Sequence, residues 1–297
     1  MSVIGDEVGL TLDQVLVATD FTPVSEMAVA YAAALAKRFA SKLTVANVVD
    51  LSVATRSNEA LIGIPLDRMR KDSAENVQNV LNDLTLDGVH AAGRTVEAHK
   101  PAAEAVRLAD ELRANLLVIG THSRIGLQKM ILGSFAEGVI HHAHCPVITL
   151  GPKVKVTPAE DMPFRTIVFA TDLDHDAVQK AAVALAFAKD SLARIYMCHV
   201  IGDPPGDLTE SLDLQVCFEK ELKKLIPAAA YEWCSPACTV EYGDVAQHIL
   251  RLADRTGANL IVLGARRNTG WFTRLAQGTV AHVLSEANCP VMTICAA

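Results

Sequence analysis

Gly120, Gly133 and Ser134 bracket the run GTHSRIGLQKMILGS, which follows the apolar segment NLLVI and precedes a segment of helical periodicity. A glycine at a strand end lets a bulky anion approach the main chain. A helix opening at Gly133 and Ser134 would aim its unpaired amide donors and positive dipole end at the same place. Ser134 can cap that helix or give its hydroxyl to a phosphate. His122 and Arg124 inside the run can add positive charge, and as loop residues they are equally at home in solvent. The chemistry this pattern offers is anion binding. Ordinary punctuation is the competing explanation, because glycine and serine favour strand-to-helix junctions without any ligand. Neither GxxxxGK[ST] nor GxGxxG is present, so this is not a P-loop or a dinucleotide fingerprint.

Such a loop needs a sheet edge to hold it. The runs VLVAT (15–19), LTVANVV (43–49), NLLVIG (115–120) and PVITL (146–150) are nearly continuous in apolar, β-branched residues, the pattern of strands buried on both faces. Helical patterns lie between and after them at about 23–40, 66–85, 101–113 and 134–143, the first opened by Thr22 as cap and Pro23 at the first helical position. This alternation predicts an α/β fold, with a parallel sheet covered on both sides through right-handed crossovers. Ligands of such sheets bind beyond the carboxyl ends of the strands, where strand order reverses. Asp20, Val48 and Gly120 then share one rim, although a strand-terminal Asp20 serves equally as a turn cap.

The pattern occurs twice. QVLVATDFTPVSEMAVAYAAALAKRFA is echoed by TIVFATDLDHDAVQKAAVALAFAKDSLA, pairing Asp20 with Asp172. Further on, NLLVIGTHSRIGLQKMILGSFAEGVIHHAHCPVITL pairs without a gap against NLIVLGARRNTGWFTRLAQGTVAHVLSEANCPVMTI, matching Gly120 with Gly264 and Cys145 with Cys289. The second copy is therefore shorter in its middle. The expected organisation is one domain over 1–152, a proline-containing linker over 153–163 and a second domain over 164–297.

A chain of 297 residues, 51% hydrophobic and 21% charged, can fill two cores and is too apolar for disorder. A net charge of -7 with no long Lys/Arg block argues against a nucleic-acid partner. The longest apolar stretches, such as AVAYAAALA, fall short of the roughly 20 residues a bilayer requires, and the opening MSVIGDEVGLTLDQ lacks the pattern of a signal peptide. The expectation is a cytoplasmic protein that does not enter membranes. Seven scattered cysteines suit a reducing compartment, and Cys145, Cys198, Cys289 and Cys295 sit in apolar strand-like runs. The cluster HHAHC (141–145) fits no familiar zinc spacing and reads better as a histidine-rich helix end. The CxxxC of WCSPAC lacks the context of a redox motif.

The segments VLVATDFTPVSEMA, NLLVIGTHSRIGLQKMILGSFAEGVI and HCPVITL together resemble the universal stress protein family, and the likeness runs through both copies. The resemblance implies in each half five parallel strands in a doubly wound, Rossmann-like sheet of the adenine nucleotide alpha hydrolase type. It implies ATP or a related adenine nucleotide lying across the rim, with Mg²⁺ as an optional companion. Nucleotide-binding members carry a glycine, two residues, a glycine, nine residues, then Gly-Ser or Gly-Thr. Here Gly120, Ser123, Gly133 and Ser134 keep that spacing with serine at the second glycine.

By position, the resemblance assigns Ala18, Thr19 and Asp20 to the adenine and ribose side and Val48 to the base. It gives the loop from Gly120 through His122, Ser123, Arg124, Gly133 and Ser134 to Phe135 to the phosphates. Counterparts in the second copy are Asp172, Val200, Gly264 and, after a one-residue slip, Gly278 and Thr279. Arg267 stands there at the second glycine and crowds the loop, so the second site is expected to be weak or empty. The implied role is a nucleotide-responsive stress module with no named catalytic residue and at most slow ATP hydrolysis. A nucleotide-free interaction scaffold is the alternative. The two domains are expected to pair through PVITL and PVMTI as an intramolecular pseudo-dimer, and association of two chains into a homodimer stays open.

Overall fold

The apolar runs fold into strands buried on both faces, and the computed structural model describes residues 11–52, 66–121, 132–154, 164–202, 206–265 and 273–295. In the first half the elements are β1 (Gln14–Ala18), α1 (Pro23–Phe39), β2 (Lys42–Asp50), α2 (Leu66–Leu86), β3 (Ala91–Ala98), α3 (Pro101–Glu111), β4 (Leu116–Gly120), α4 (Ser134–His142) and β5 (Val147–Leu150). The second half repeats the order as β6 (Thr166–Ala170), α5 (Ala177–Ser191), β7 (Arg194–Ile201), α6 (Leu208–Lys224), the short α7 (Ala230–Trp233), β8 (Ser235–Tyr242), α8 (Val245–Thr256), β9 (Leu260–Ala265), α9 (Thr273–Glu286) and β10 (Val291–Cys295).

Spatial order is β3-β2-β1-β4-β5-β10-β9-β6-β7-β8 in one ten-stranded sheet. Within each half the strands are parallel, so each half is a doubly wound five-stranded α/β unit. β1 and β4, side by side at the centre of their half, are apolar and almost wholly buried, as are β6 and β9 in theirs. One core lies against α1 and α5, with Val15, Val17, Leu35, Ile167 and Phe187; the other lies against α3, α4 and α8, with Leu16, Leu117, Ile119, Val139 and Ile249.

β3 and β8 carry no apolar run in the sequence because they are the outer strands. β3 alternates between half-buried and exposed residues, and Gly93 gives room there to Val77 and Leu81 of α2, whose atoms lie 2.7 and 2.9 Å from where a Cβ would stand. Thr22 and Pro23 start α1 as their types dictate, with the Ser25 hydroxyl accepting from Thr22 N at 3.0 Å. The third helix stops at Glu111, short of the pattern's end, since Arg113 takes a left-handed φ of 51°.

The halves meet antiparallel through β5 and β10, where Ile148 lies opposite Met292. These two residues occupy the same position in the two copies. So do Arg38 and Asp190, which meet with Nε and Nη2 of Arg38 donating to Asp190 Oδ2 at 3.0 and 2.7 Å. A two-fold axis sets positions on it against themselves, so these pairs mark a pseudo-dyad within one chain. In a symmetric dimer of either half the arginine would face another arginine, or the aspartate another aspartate. Duplication lets one copy carry the opposite charge. Where the chains cross, Gly151 admits no side chain, because a Cβ would stand 2.1 Å from the Leu284 carbonyl oxygen.

Arg38→Asp sets two carboxylates against each other at a partly exposed position and is expected to cost about 1 kcal/mol, read as a lower urea midpoint. Adding Asp190→Arg should restore most of the loss; equal midpoints for the single and double variants would contradict the pairing.

Candidate functional site

The crevice of a doubly wound sheet opens where successive strands send their chains to opposite faces. β1 feeds α1 on one face and β4 leads toward α4 on the other, so the carboxyl ends of β1 and β4 frame it. Ala18, at the end of β1, is buried. Thr19 is also buried and extends the ladder by donating its N–H to Ala46 O at 2.9 Å. Its hydroxyl oxygen accepts from Phe21 N at 3.0 Å and lies 3.0 Å from Ser25 Oγ. This closes a tight turn in which Phe21 takes a φ of 62°, a conformation of order 1 kcal/mol unfavourable for a bulky side chain that persists only where its surroundings impose it.

The turn presents Asp20 at the surface. Asp20 Oδ1 accepts from Thr22 N at 3.2 Å and from the Thr22 hydroxyl, and Ser25 Oγ accepts from Asp20 N at 3.3 Å. Asn47, buried near the end of β2, donates Nδ2–H to Thr19 O at 2.7 Å and accepts from Ser73 Oγ of α2 at 2.6 Å. One amide thus ties the ends of β1 and β2 to a helix. Val48 follows it, half-buried against the apolar core on the α3 and α4 side.

Gly120 ends β4 with its Cβ direction occupied: Val24 O and Ser25 N would lie 2.9 and 3.0 Å from a Cβ there. The glycine that the sequence offers to an anion is needed to seat the first turn of α1. Thr121 continues the ladder, donating to Leu150 O at 2.9 Å; its buried hydroxyl has no hydrogen-bond partner among the described residues. Thr121 carries no signal in the sequence beyond its place directly after Gly120.

Gly133 is the N-cap of α4, with φ -59° and ψ 140° and no side-chain cap. Ser134 is the first helical residue and is exposed, so it does not cap the helix. The amides of this first turn have no intrahelical acceptor. Phe135 packs against the core beneath the helix. His122, Ser123 and Arg124 lie outside the described residues.

The second half repeats the turn. Thr171 Oγ1 accepts from Leu173 N at 3.0 Å, Leu173 has φ 57°, and His199 Nδ1 lies 2.8 Å from Thr171 O in the place of Asn47. The His199 ring rests on Phe218 of α6 at a centroid distance of 4.5 Å. Asp172 is exposed, Val200 is half-buried, and the space beside Gly264 is filled by the side chain of Lys180, whose Cδ would be 2.9 Å from a Cβ there. Gly278 and Thr279 require a correction. They lie inside α9, which begins at Thr273, so no open helix amides stand at these residues as they do at Gly133 and Ser134. Arg267 is outside the described residues.

The histidine-rich stretch disperses. His141 and His142 close α4, His142 Nδ1 meets Gly138 O at 2.7 Å, and His144 pairs with Asp110 at 3.0 Å. Among the described residues, Asp174, His175 and Asp176 come together at metal-ligand spacing, and Asp174 is held by Lys180 at 2.6 Å.

The universal stress protein family model matches residues 11–150 and again residues 163–294. The chain belongs to the universal stress protein family. A universal stress protein from Methanocaldococcus jannaschii is 30% identical over 145 residues, 46% of this chain and 81% of that one. A solved universal stress protein from Archaeoglobus fulgidus shares the fold along the whole length, with a TM-score of 0.71 at 20% identity over 98% of each chain. Another from Archaeoglobus fulgidus, solved in complex with dAMP, aligns at 22% identity over 47% of this chain and 98% of that one, with a TM-score of 0.35; dAMP is that protein's ligand.

In this universal stress protein, Asn47→Leu leaves the Thr19 carbonyl and the Ser73 hydroxyl buried and unpaired, and should cost about 2–3 kcal/mol in urea unfolding. Asp20→Ala, at the surface, should stay within about 1 kcal/mol. Burial pushes the thiols of Cys145, Cys198 and Cys289 up to about 12 and that of Cys234 to about 11, so at pH 8 they remain protonated in the folded protein. Among the described cysteines, exposed Cys217 should be the one modified fastest by a thiol reagent. Cys217→Ser should remove about one equivalent of fast-reacting thiol.

Proposed function

We propose that the first half binds an adenine nucleotide, ATP foremost, and that the chain works as a cytoplasmic, nucleotide-responsive stress module. The observation that carries this reading is the first half's rim, where a strained turn presents Asp20, a glycine opens α4 without a side-chain cap, and the buried Thr121 hydroxyl has no partner among the described residues. Donors fixed at a helix start suit phosphate oxygens, and a surface carboxylate next to a strand end suits ribose hydroxyls or an exocyclic amine. The base then lies toward Val48 and Ala18. Mg²⁺, where present, accompanies the phosphates, and Asp20 is the carboxylate the site offers it. The division into domains 1–152 and 164–297 around a linker at 153–163 belongs to the same proposal, as does the weak second site.

A ligand that prefers one state of the protein shifts the population toward it without being consumed. Binding alone thus accounts for a response to nucleotide, and no proton transfer is required of the rim residues.

The test starts by denaturing protein purified without added nucleotide, identifying what is released, and titrating ATP calorimetrically into stripped protein. About one adenine nucleotide per chain is expected. Affinity should fall by roughly tenfold or more in Asp20→Ala, the loss of a hydrogen-bonded charged contact. Thr121→Val should weaken binding while leaving the unfolding midpoint unchanged or higher, because the isostere removes a buried hydroxyl that has no partner among the described residues. No released nucleotide and no heat at millimolar ATP would contradict the reading and leave an interaction scaffold.

A further inference from the structure

The duplication provides an internal comparison, since both halves build the rim turn alike as far as Phe21 and Leu173 and then diverge. At the next position Thr22 is answered by Asp174. In the first half Thr22 turns back onto Asp20 and Ser25, α1 begins at Pro23, and its first turn lies against Gly120. Pro23 pairs with His175 in the repeat, yet α5 begins only at Ala177.

What lies against Gly264 is a side chain. Lys180 replaces Ala28, and its Nζ would stand 3.5 Å from a Cβ on Gly264. The ammonium donates to Asp174 Oδ2 at 2.6 Å, with the two side chains 2% and 7% exposed. Ala177 replaces Ser25, so the hydroxyl that gathers Asp20, Thr22 and Thr19 in the first half has no equivalent in the second. A buried ion pair is weak evidence for added stability, because desolvation offsets most of the attraction. Its position is the informative fact: beside Gly264, at the end of β9, the lysine arm takes the space that the first turn of α1 takes beside Gly120.

We propose that the Lys180–Asp174 pair is a built-in plug that closes the second half to nucleotide and limits the chain to one site. The lysine arm stands beside Gly264 where a helix start would otherwise seat, and the carboxylate it holds keeps residues 172–176 on a path that does not reproduce the hydroxyl cluster around Asp20. This inference rests on the nucleotide-binding reading of the first half.

The triple substitution Asp174→Thr, Ala177→Ser and Lys180→Ala gives the second half the residues that Thr22, Ser25 and Ala28 supply in the first. ATP stoichiometry is measured on the full-length chain by equilibrium dialysis, with circular dichroism and the urea midpoint as controls for folding. The expected result is a rise from about one to about two ATP per chain, with Asp172→Ala removing the new site and Asp20→Ala the original one. Should the triple variant fail to fold, the double variant Asp174→Thr/Lys180→Ala reads the same difference. One ATP per chain in both wild type and variant overturns the plug and assigns the block to the segment carrying Arg267. Two in the wild type overturns it as well. None in the wild type and one in the variant refutes the first-half reading while sustaining the plug; none in either refutes both.

Discussion

A main-chain carbonyl at the end of the first strand sets the geometry of the rim. Thr19 has left the ladder on its carbonyl side, and a buried oxygen there must find a donor or destabilise the sheet. Asn47 supplies it and is itself held by Ser73 of α2, so the satisfaction of one acceptor ties the ends of β1 and β2 to a helix. With that oxygen anchored, the Thr19 hydroxyl can accept from Phe21 and hold it in a left-handed turn. The turn brings Asp20 to the surface and starts α1, and the seating of α1 requires a glycine at 120. The second half meets the same need with His199, a different side chain delivering one N–H to the same place.

The second constraint is the pseudo-dyad. A symmetric dimer presents every residue on its axis to a copy of itself, so complementary charge is unavailable there. Fusing two copies removes that restriction, and Arg38 opposite Asp190 shows the freedom in use. The rims diverge under the same freedom: the first keeps hydroxyls and an uncapped helix start, while the second carries a buried lysine. Because β5 and β10 join the halves into a single sheet, the two rims belong to one framework.

The fold was legible wherever burial on two faces demands continuous apolar residues, as in VLVAT, NLLVIG and PVITL. It was illegible in β3 and β8, where an outer strand needs only alternate residues inward and AAGRTVEA shows no run. Asp20, Gly120 and Gly133 announced themselves by type and position. Asn47 and Lys180 did not, since each is an ordinary polar residue inside VANVV or VQKAAV, and only the fold shows what it meets. The repeat also misled in one respect. Pairing Ser134 with Gly278 preserves sequence correspondence, yet α9 begins at Thr273, because a helix start follows the local chain rather than the alignment. Gly120 carries a similar lesson: its type was legible and its reason was not.

Hydrogen–deuterium exchange of the full-length chain with and without saturating ATP tests the central claim most directly, since it reads both rims in one sample. The account predicts slower exchange at residues 18–21 and 133–137 on adding ATP, with residues 170–173 and 277–281 unchanged. Equal protection at both rims, or protection at neither, would contradict it.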